Sequence, residues 1–186
     1  MSLFVVLEGI DGSGKTTQAK ILADRLGGGF TREPTDGPFG RVLRDAVELR
    51  VALDPVTMAL GFAADRADHV AWIRHELAED RTVVCDRYVL SSLAYQSRGE
   101  VSEDWLRAIN RHAPEPDLTV FLDTPPEVCA ARIDDDELFH SPPELERVRS
   151  NYLAAMSGGE VLIDGDGSIP EVADRVWDAV RLRVGG

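Results

Sequence analysis

The segment Gly9-Ile10-Asp11-Gly12-Ser13-Gly14-Lys15-Thr16 constrains this chain more than any other, because it matches G-x-x-x-x-G-K-[ST] at every fixed position. An apolar run, Leu3-Phe4-Val5-Val6-Leu7, precedes it, and a helical pattern over residues 14–26 follows. That is the strand–loop–helix setting the motif requires. Its glycines let the backbone curl until successive N–H groups point inward at phosphate oxygens, at the positive end of a helix. Lys15 adds a point charge for the β- and γ-phosphates, and the Thr16 hydroxyl suits Mg²⁺. Only Lys15 and Lys20 are lysines among 20 basic residues, so a lysine placed in this loop is informative. Binding of a nucleoside triphosphate is the expectation.

The rest of the chain supplies a matching framework. Thr82-Val83-Val84-Cys85, Leu118-Thr119-Val120-Phe121-Leu122 and Val161-Leu162-Ile163 are apolar without alternation, as parallel strands covered on both faces are. A weaker strand, Phe30-Thr31-Arg32, follows the turn signal Gly27-Gly28-Gly29. Helical patterns lie between them at 56–78, at 103–113 with Trp105 and Ile109 four apart, and at 170–184 with Val172, Val176 and Val180 in register. Strands alternating with helices predict an α/β chain of the P-loop NTPase fold: a five-stranded parallel sheet with helices on both faces. No repeat, low-complexity tract or linker divides residues 1–186, so one domain is expected. Lys+Arg is 20 against Asp+Glu 33, a formal net charge of -13, which disfavours nucleic acid and anionic membrane surfaces as partners. Cys85 and Cys129 are too few for a disulfide framework or a thiolate zinc site and read as small core residues. The first apolar run stops at Glu8 and no stretch approaches the length of a membrane span, so a cytoplasmic protein is expected.

Several P-loop classes are excluded by what is missing. A guanine-reading Asn-Lys-x-Asp segment cannot exist with lysine only at 15 and 20, and Leu122-Asp123-Thr124 lacks the paired acidic residues of a motor ATPase. A small kinase with a second, acceptor pocket remains. Three segments carry suitable chemistry. Thr31-Arg32-Glu33-Pro34 ends the second strand, and Phe62 and Arg66 share a helix face at i, i+4. Asp86-Arg87-Tyr88 ends the 82–85 strand where an α/β ligand crevice opens. A phosphate monoester has a second pKa of about 6, so its attacking oxygen needs no general base at neutral pH. The demand is for Arg, Lys and Mg²⁺ around two anions, and the arginines flanking these segments meet it. A nucleoside hydroxyl would need a carboxylate instead, and Glu33 stands where one could serve.

Taken as an ordered set, these residues resemble the thymidylate kinase family over nearly the whole chain. The resemblance rests on Leu7-Glu8-Gly9 through Thr16-Thr17, Thr31-Arg32-Glu33-Pro34, Gly40-Arg41-Val42-Leu43-Arg44 and Phe62-Ala63-Ala64-Asp65-Arg66. It continues through Asp86-Arg87-Tyr88, Ser91-Ser92-Leu93-Ala94-Tyr95-Gln96 and Pro116-Asp117-Leu118. It implies ATP-dependent phosphorylation of dTMP to dTDP, with ATP cradled by Gly9, Asp11, Gly12, Ser13, Gly14, Lys15, Thr16 and Thr17. It implies that Phe62 stacks on thymine, that Arg66, Ser92 and Gln96 meet the base edge, and that Tyr95 excludes a 2′-hydroxyl. Asp11 would hold the 3′-hydroxyl, while Arg32, Arg44 and Arg87 would surround the acceptor phosphate beside Glu33. Asp86 and Thr16 would support Mg²⁺, and a homodimer formed by helix packing is implied as well.

Two segments depart from the family pattern. Thr35-Asp36-Gly37-Pro38 stands where many bacterial members run Gly-Gly-Thr. The short lid candidate, 133–143, contains Asp134-Asp135-Asp136-Glu137 and no arginine, and the variable P-loop positions hold none either. Arg132 is the nearest basic residue able to cover the transferring phosphoryl group. Loss of that charge would instead point to a nucleotide-binding protein that no longer transfers phosphate. The turn Asp164-Gly165-Asp166-Gly167 after the last strand is the candidate adenine edge.

Overall fold

Consecutive apolar residues require cover on both sides of a strand, and that requirement shapes this fold. The computed structural model describes residues 2–133 and 141–184. Its strands are β1 (Phe4–Glu8), β2 (Gly29–Arg32), β3 (Val83–Asp86), β4 (Leu118–Asp123) and β5 (Val161–Asp164). They pair in the order β2-β3-β1-β4-β5, every pair parallel. The helices are α1 (Lys15–Leu26), α2 (Pro38–Val47), α3 (Pro55–Ala78), α4 (Val89–Gln96), α5 (Glu103–Ile109), α6 (Pro126–Ala130), α7 (Pro142–Ala155) and α8 (Ile169–Val184).

Alternate residues of β1 face opposite layers. Val5 and Leu7 pack with Ala19 and Leu22 of α1 and Val172, Val176 and Val180 of α8. Phe4 and Val6 pack with Val70 and Ile73 of α3. A third cluster joins Ile10 and Phe121 to Leu145, Val148 and Tyr152 of α7. Each such fully buried side chain contributes about 1.5–3 kcal/mol, so the unbroken run of β1 is the energetic centre of the sheet. Cys85 and Cys129 are buried and free, as core residues should be.

The expected five-stranded parallel sheet and its helices are present, with three local differences. The helix expected over 103–113 ends at Ile109, because Asn110 caps it and bends the chain. α2 and α4 form where the periodicity was too short to stand out, α2 starting on Pro38, whose fixed φ suits a first turn. α7 was not anticipated, and most of the lid candidate, residues 134–140, lies outside the described residues. With β1 between β3 and β4, successive crossovers leave in opposite directions and open a crevice beyond the carboxyl ends of these strands. Glu8, Asp86, Arg32 and Asp123 all end strands there.

Candidate active site

The loop between β1 and α1 is built by backbone. Gly14 caps α1 in the left-handed conformation, with φ 90. Gly12 has φ +77, and a Cβ there would lie 2.4 Å from the Cys129 carbonyl oxygen, so α6 seats against the loop only because this residue is glycine. Just past α6, Arg132 donates from Nη1 to the Gly12 carbonyl at 3.3 Å. Lys15 is buried; its Nζ donates to the Ile10 carbonyl at 3.3 Å and lies 3.7 Å from the Asp11 carboxylate. Burial, and then the nearby Arg87, push the Lys15 pKa down, while Asp11, Asp86 and Glu8 oppose them. Ser13 is buried and Thr17 exposed.

Thr16 donates from Oγ1 to Asp86 Oδ2 at 2.5 Å, and Asp86 Oδ1 is buried with no partner. A hydroxyl beside a carboxylate with an unclaimed buried oxygen is a hard, all-oxygen donor set. It fits Mg²⁺, which takes one or two protein ligands and completes its shell with water and phosphate. Among the described residues no cluster of three or more His, Cys, Asp or Glu forms a fuller metal cage.

The acceptor side is built by side chains from separate elements. One cavity is lined by Ser92, Tyr95 and Gln96 of α4, Phe62 and Arg66 of α3, Glu33, Arg87 and Asp11. Its lining therefore includes both the expected base-reading residues and Asp11 of the phosphate loop. Gln96 contributes an amide oxygen that is buried without a partner. Tyr95 donates its hydroxyl to Asp11 Oδ2 at 2.8 Å, and Arg87 pairs with Asp11 Oδ1 while its guanidinium lies 4.9 Å over the Tyr95 ring. Burial alone would lower the Arg87 guanidinium, but Asp11 chiefly holds it well above its ordinary value. Arg87 adopts φ 71, a left-handed conformation costing a residue with a Cβ about 1–3 kcal/mol, so its surroundings must hold it in place.

Arg66 is buried, 1% exposed. Its Nε donates to Glu33 Oε2 at 2.8 Å, Nη1 to Asn110 Oδ1 at 2.5 Å, and Nη2 to the Tyr88 carbonyl at 3.0 Å and Ser92 Oγ at 3.1 Å. The other Glu33 oxygen, Oε1, meets His69 Nδ1 at 3.0 Å, and His69 Nε2 meets Thr31 Oγ1 at 2.7 Å. This corrects the reading of Glu33 as a general base: both oxygens are engaged, Oε2 by Arg66 and Oε1 by His69, and neither is left free for a substrate hydroxyl. Asp86, which precedes α4, leaves the capping of that helix to another carboxylate. The buried Glu8 caps it, accepting from the Tyr88 and Ser91 N–H groups at 2.8 and 3.1 Å.

Arg32 and Arg44 come together outside this cavity. Both donate from Nη2 to Asp36 Oδ1, at 3.1 and 2.9 Å. Hydrogen bonds from Arg44 and Arg32 hold the exposed Asp36 carboxyl below its ordinary range. The departing loop is rigid in a way of its own. Thr35 donates its N–H and hydroxyl to the buried Asp65 at 2.8 and 2.6 Å, and a Cβ on Gly40 would lie 2.0 Å from the Thr35 carbonyl oxygen. Sequence reasoning missed the roles of Glu8, Asp65, His69, Asn110 and Tyr152. Glu8 alone carried a signal, as a charge ending an otherwise apolar strand.

The family model described as thymidylate kinase matches residues 7–176. A probable thymidylate kinase of Pyrococcus abyssi is 43% identical over 198 residues, covering 96% of this chain and 95% of that protein. One from Methanocaldococcus jannaschii is 41% identical over 152 residues, covering 82% of this chain and 80% of that protein. The solved thymidylate kinase of Candida albicans, 24% identical, has the same fold, with a TM-score of 0.88 over 97% of this chain and 92% of that one.

Proposed function

Because this chain belongs to the thymidylate kinase family, we propose that it transfers the γ-phosphoryl group of ATP to dTMP, giving dTDP and ADP. One observation carries this reading: a single cavity runs from an aromatic and amide end, Phe62, Ser92 and Gln96, to Asp11 and Arg87 at the phosphate loop. Phe62 covers the thymine face, and the unpartnered Gln96 amide oxygen accepts a base N–H. Arg66, locked by Glu33 and Asn110, serves as the fixed floor below and reaches the base edge beside Ser92. Tyr95 and Asp11 meet the sugar, the ring where a 2′-hydroxyl would need room and the carboxylate at the 3′-hydroxyl.

The acceptor oxygen is already deprotonated, so chemistry here is the approach of two anions. Lys15 holds the donor phosphates, Arg87 the acceptor phosphate, and Arg32 and Arg44 exchange Asp36 for that phosphate. Arg132, seated over Gly12, covers the transferring group in place of the arginine absent from the loop and the lid candidate. Thr16 and Asp86 would hold Mg²⁺, which would supply positive charge to offset that of the donor phosphates. The same reading includes a cytoplasmic location, consistent with no described helix being long and apolar enough to cross a membrane. It also includes a homodimer, for which α2 and α3 offer Phe39, Val42 and Leu60, each about half exposed.

An ADP-release assay with ATP and Mg²⁺ tests the assignment by comparing dTMP, dUMP, thymidine and no acceptor. Release with dTMP and silence with thymidine is the expected result. Release with thymidine alone would make the protein a nucleoside kinase. ATP binding without any acceptor-dependent release would make it a nucleotide-binding protein without transfer activity.

A further inference from the structure

Glu8 ends β1 with its side chain 0% exposed, a place where an unsupported carboxylate would be costly. Four donors converge on it. Besides the Tyr88 and Ser91 N–H groups, Ser91 Oγ donates to Oε2 at 2.6 Å and the Tyr152 hydroxyl to Oε2 at 3.0 Å. The two hydroxyl oxygens are themselves 2.7 Å apart. Each hydroxyl has one proton. Ser91 commits its proton to Glu8, and Tyr152 commits its own to Glu8 or to Ser91, so neither proton is left for the far side. On that far side stands Arg87, whose Nη1 lies 3.2 Å from Ser91 Oγ and 3.2 Å from the Tyr152 hydroxyl. Both oxygens therefore turn lone pairs toward the guanidinium. Its Nη2 is then directed at Asp11 and Tyr95, the opposite edge.

We infer that Glu8 is a positioning residue: it draws the hydroxyl protons of Ser91 and Tyr152 toward itself, and so makes both oxygens acceptors that aim Arg87 into the acceptor site. This rests on the proposed role of Arg87 at the acceptor phosphate. Arg87 also holds a left-handed backbone conformation, which persists only where the surrounding structure over-determines it. The arrangement also joins three elements: β1 beside the phosphate loop, α4 with its base-reading residues, and α7. Tyr152 brings α7, the helix that follows the lid candidate, into contact with the acceptor machinery.

Glu8→Gln keeps the shape but puts an N–H₂ among donors, so either the two hydroxyls or the two α4 N–H groups lose their acceptor oxygen. The expected result is a fall of about tenfold or more in kcat/KM for dTMP, with KM for ATP within about twofold of the parent. Tyr152→Phe keeps the ring and its packing on Phe121 and should lose about three- to tenfold on the same parameter, with KM for ATP again within about twofold of the parent. The double variant should be no worse than Glu8→Gln alone, because both act through one chain of contacts. Full dTMP efficiency in either variant would overturn the inference, as would additive losses or ATP and dTMP parameters falling together. Should Glu8→Gln fail to fold, Tyr152→Phe decides alone. An unmodified enzyme that ignores dTMP would overturn the functional reading instead, a result distinct from all of these.

Discussion

On the proposed reading, the donor loop and the acceptor cavity solve the same problem, holding an anion, by opposite means. The donor loop is contiguous in sequence and relies on backbone: glycines, one helix N-terminus, one lysine and one hydroxyl. The acceptor cavity draws side chains from α3, α4 and the loops that follow β1, β2 and β3, and holds them by pairing cation with carboxylate, Arg66 on Glu33 and Arg87 on Asp11. Backbone geometry follows from local spacing, whereas side-chain pairing follows from tertiary contact. The first kind of site is robust and readable; the second is specific and depends on buried partners.

Three substitutions probe that contrast. Arg132→Ala removes a basic side chain that reaches the donor loop from beyond α6, and kcat should fall by about 10³–10⁵. A loss under about tenfold in a steady-state assay would mean that the loop covers the phosphoryl group without it. Glu33→Gln strands Arg66 in a site 1% exposed, and should lower unfolding free energy by about 3–5 kcal/mol in a urea titration. A cost below about 1 kcal/mol would show that acceptor-side pairing is dispensable.

Asp36→Asn acts where pairing is exposed, so its effect should be smallest. Releasing Arg32 and Arg44 should lower KM for dTMP by about two- to threefold, an effect that shrinks as salt rises. It should also be flat across neutral pH. Arg44 and Arg32 depress the Asp36 pKa, so the carboxylate stays charged there and loses its charge only as the pH falls through that lowered value. A KM that rises in the variant would recast Asp36 as an orienting residue for the two arginines.

Much of this was legible in the chain. The unbroken apolarity of β1, β3 and β4 predicted a sheet covered on both faces, and the phosphate loop's spacing predicted its place between β1 and α1. The i, i+4 spacing put Phe62 and Arg66 on one wall, where both are found. It could not show that Arg66 is buried, because its partners lie far away in sequence, at 33, 88, 92 and 110. Glu8 stood out as a charge ending an apolar strand, but its role was hidden for the same reason: its donors come from residues 88, 91 and 152. Short helices such as α4 carry too few turns for a clear period, and their ends are set by contacts the sequence does not display.

Calorimetric titration of the protein with dTMP and with thymidine, under the same salt and Mg²⁺ conditions, tests most directly whether the acceptor side is built for a phosphate. The arginines around it predict that thymidine binds at least about a hundredfold more weakly, a difference of about 2.7 kcal/mol. Equal affinities would contradict the account, since the arginine–carboxylate pairs would then be structural and the second anion would have no site.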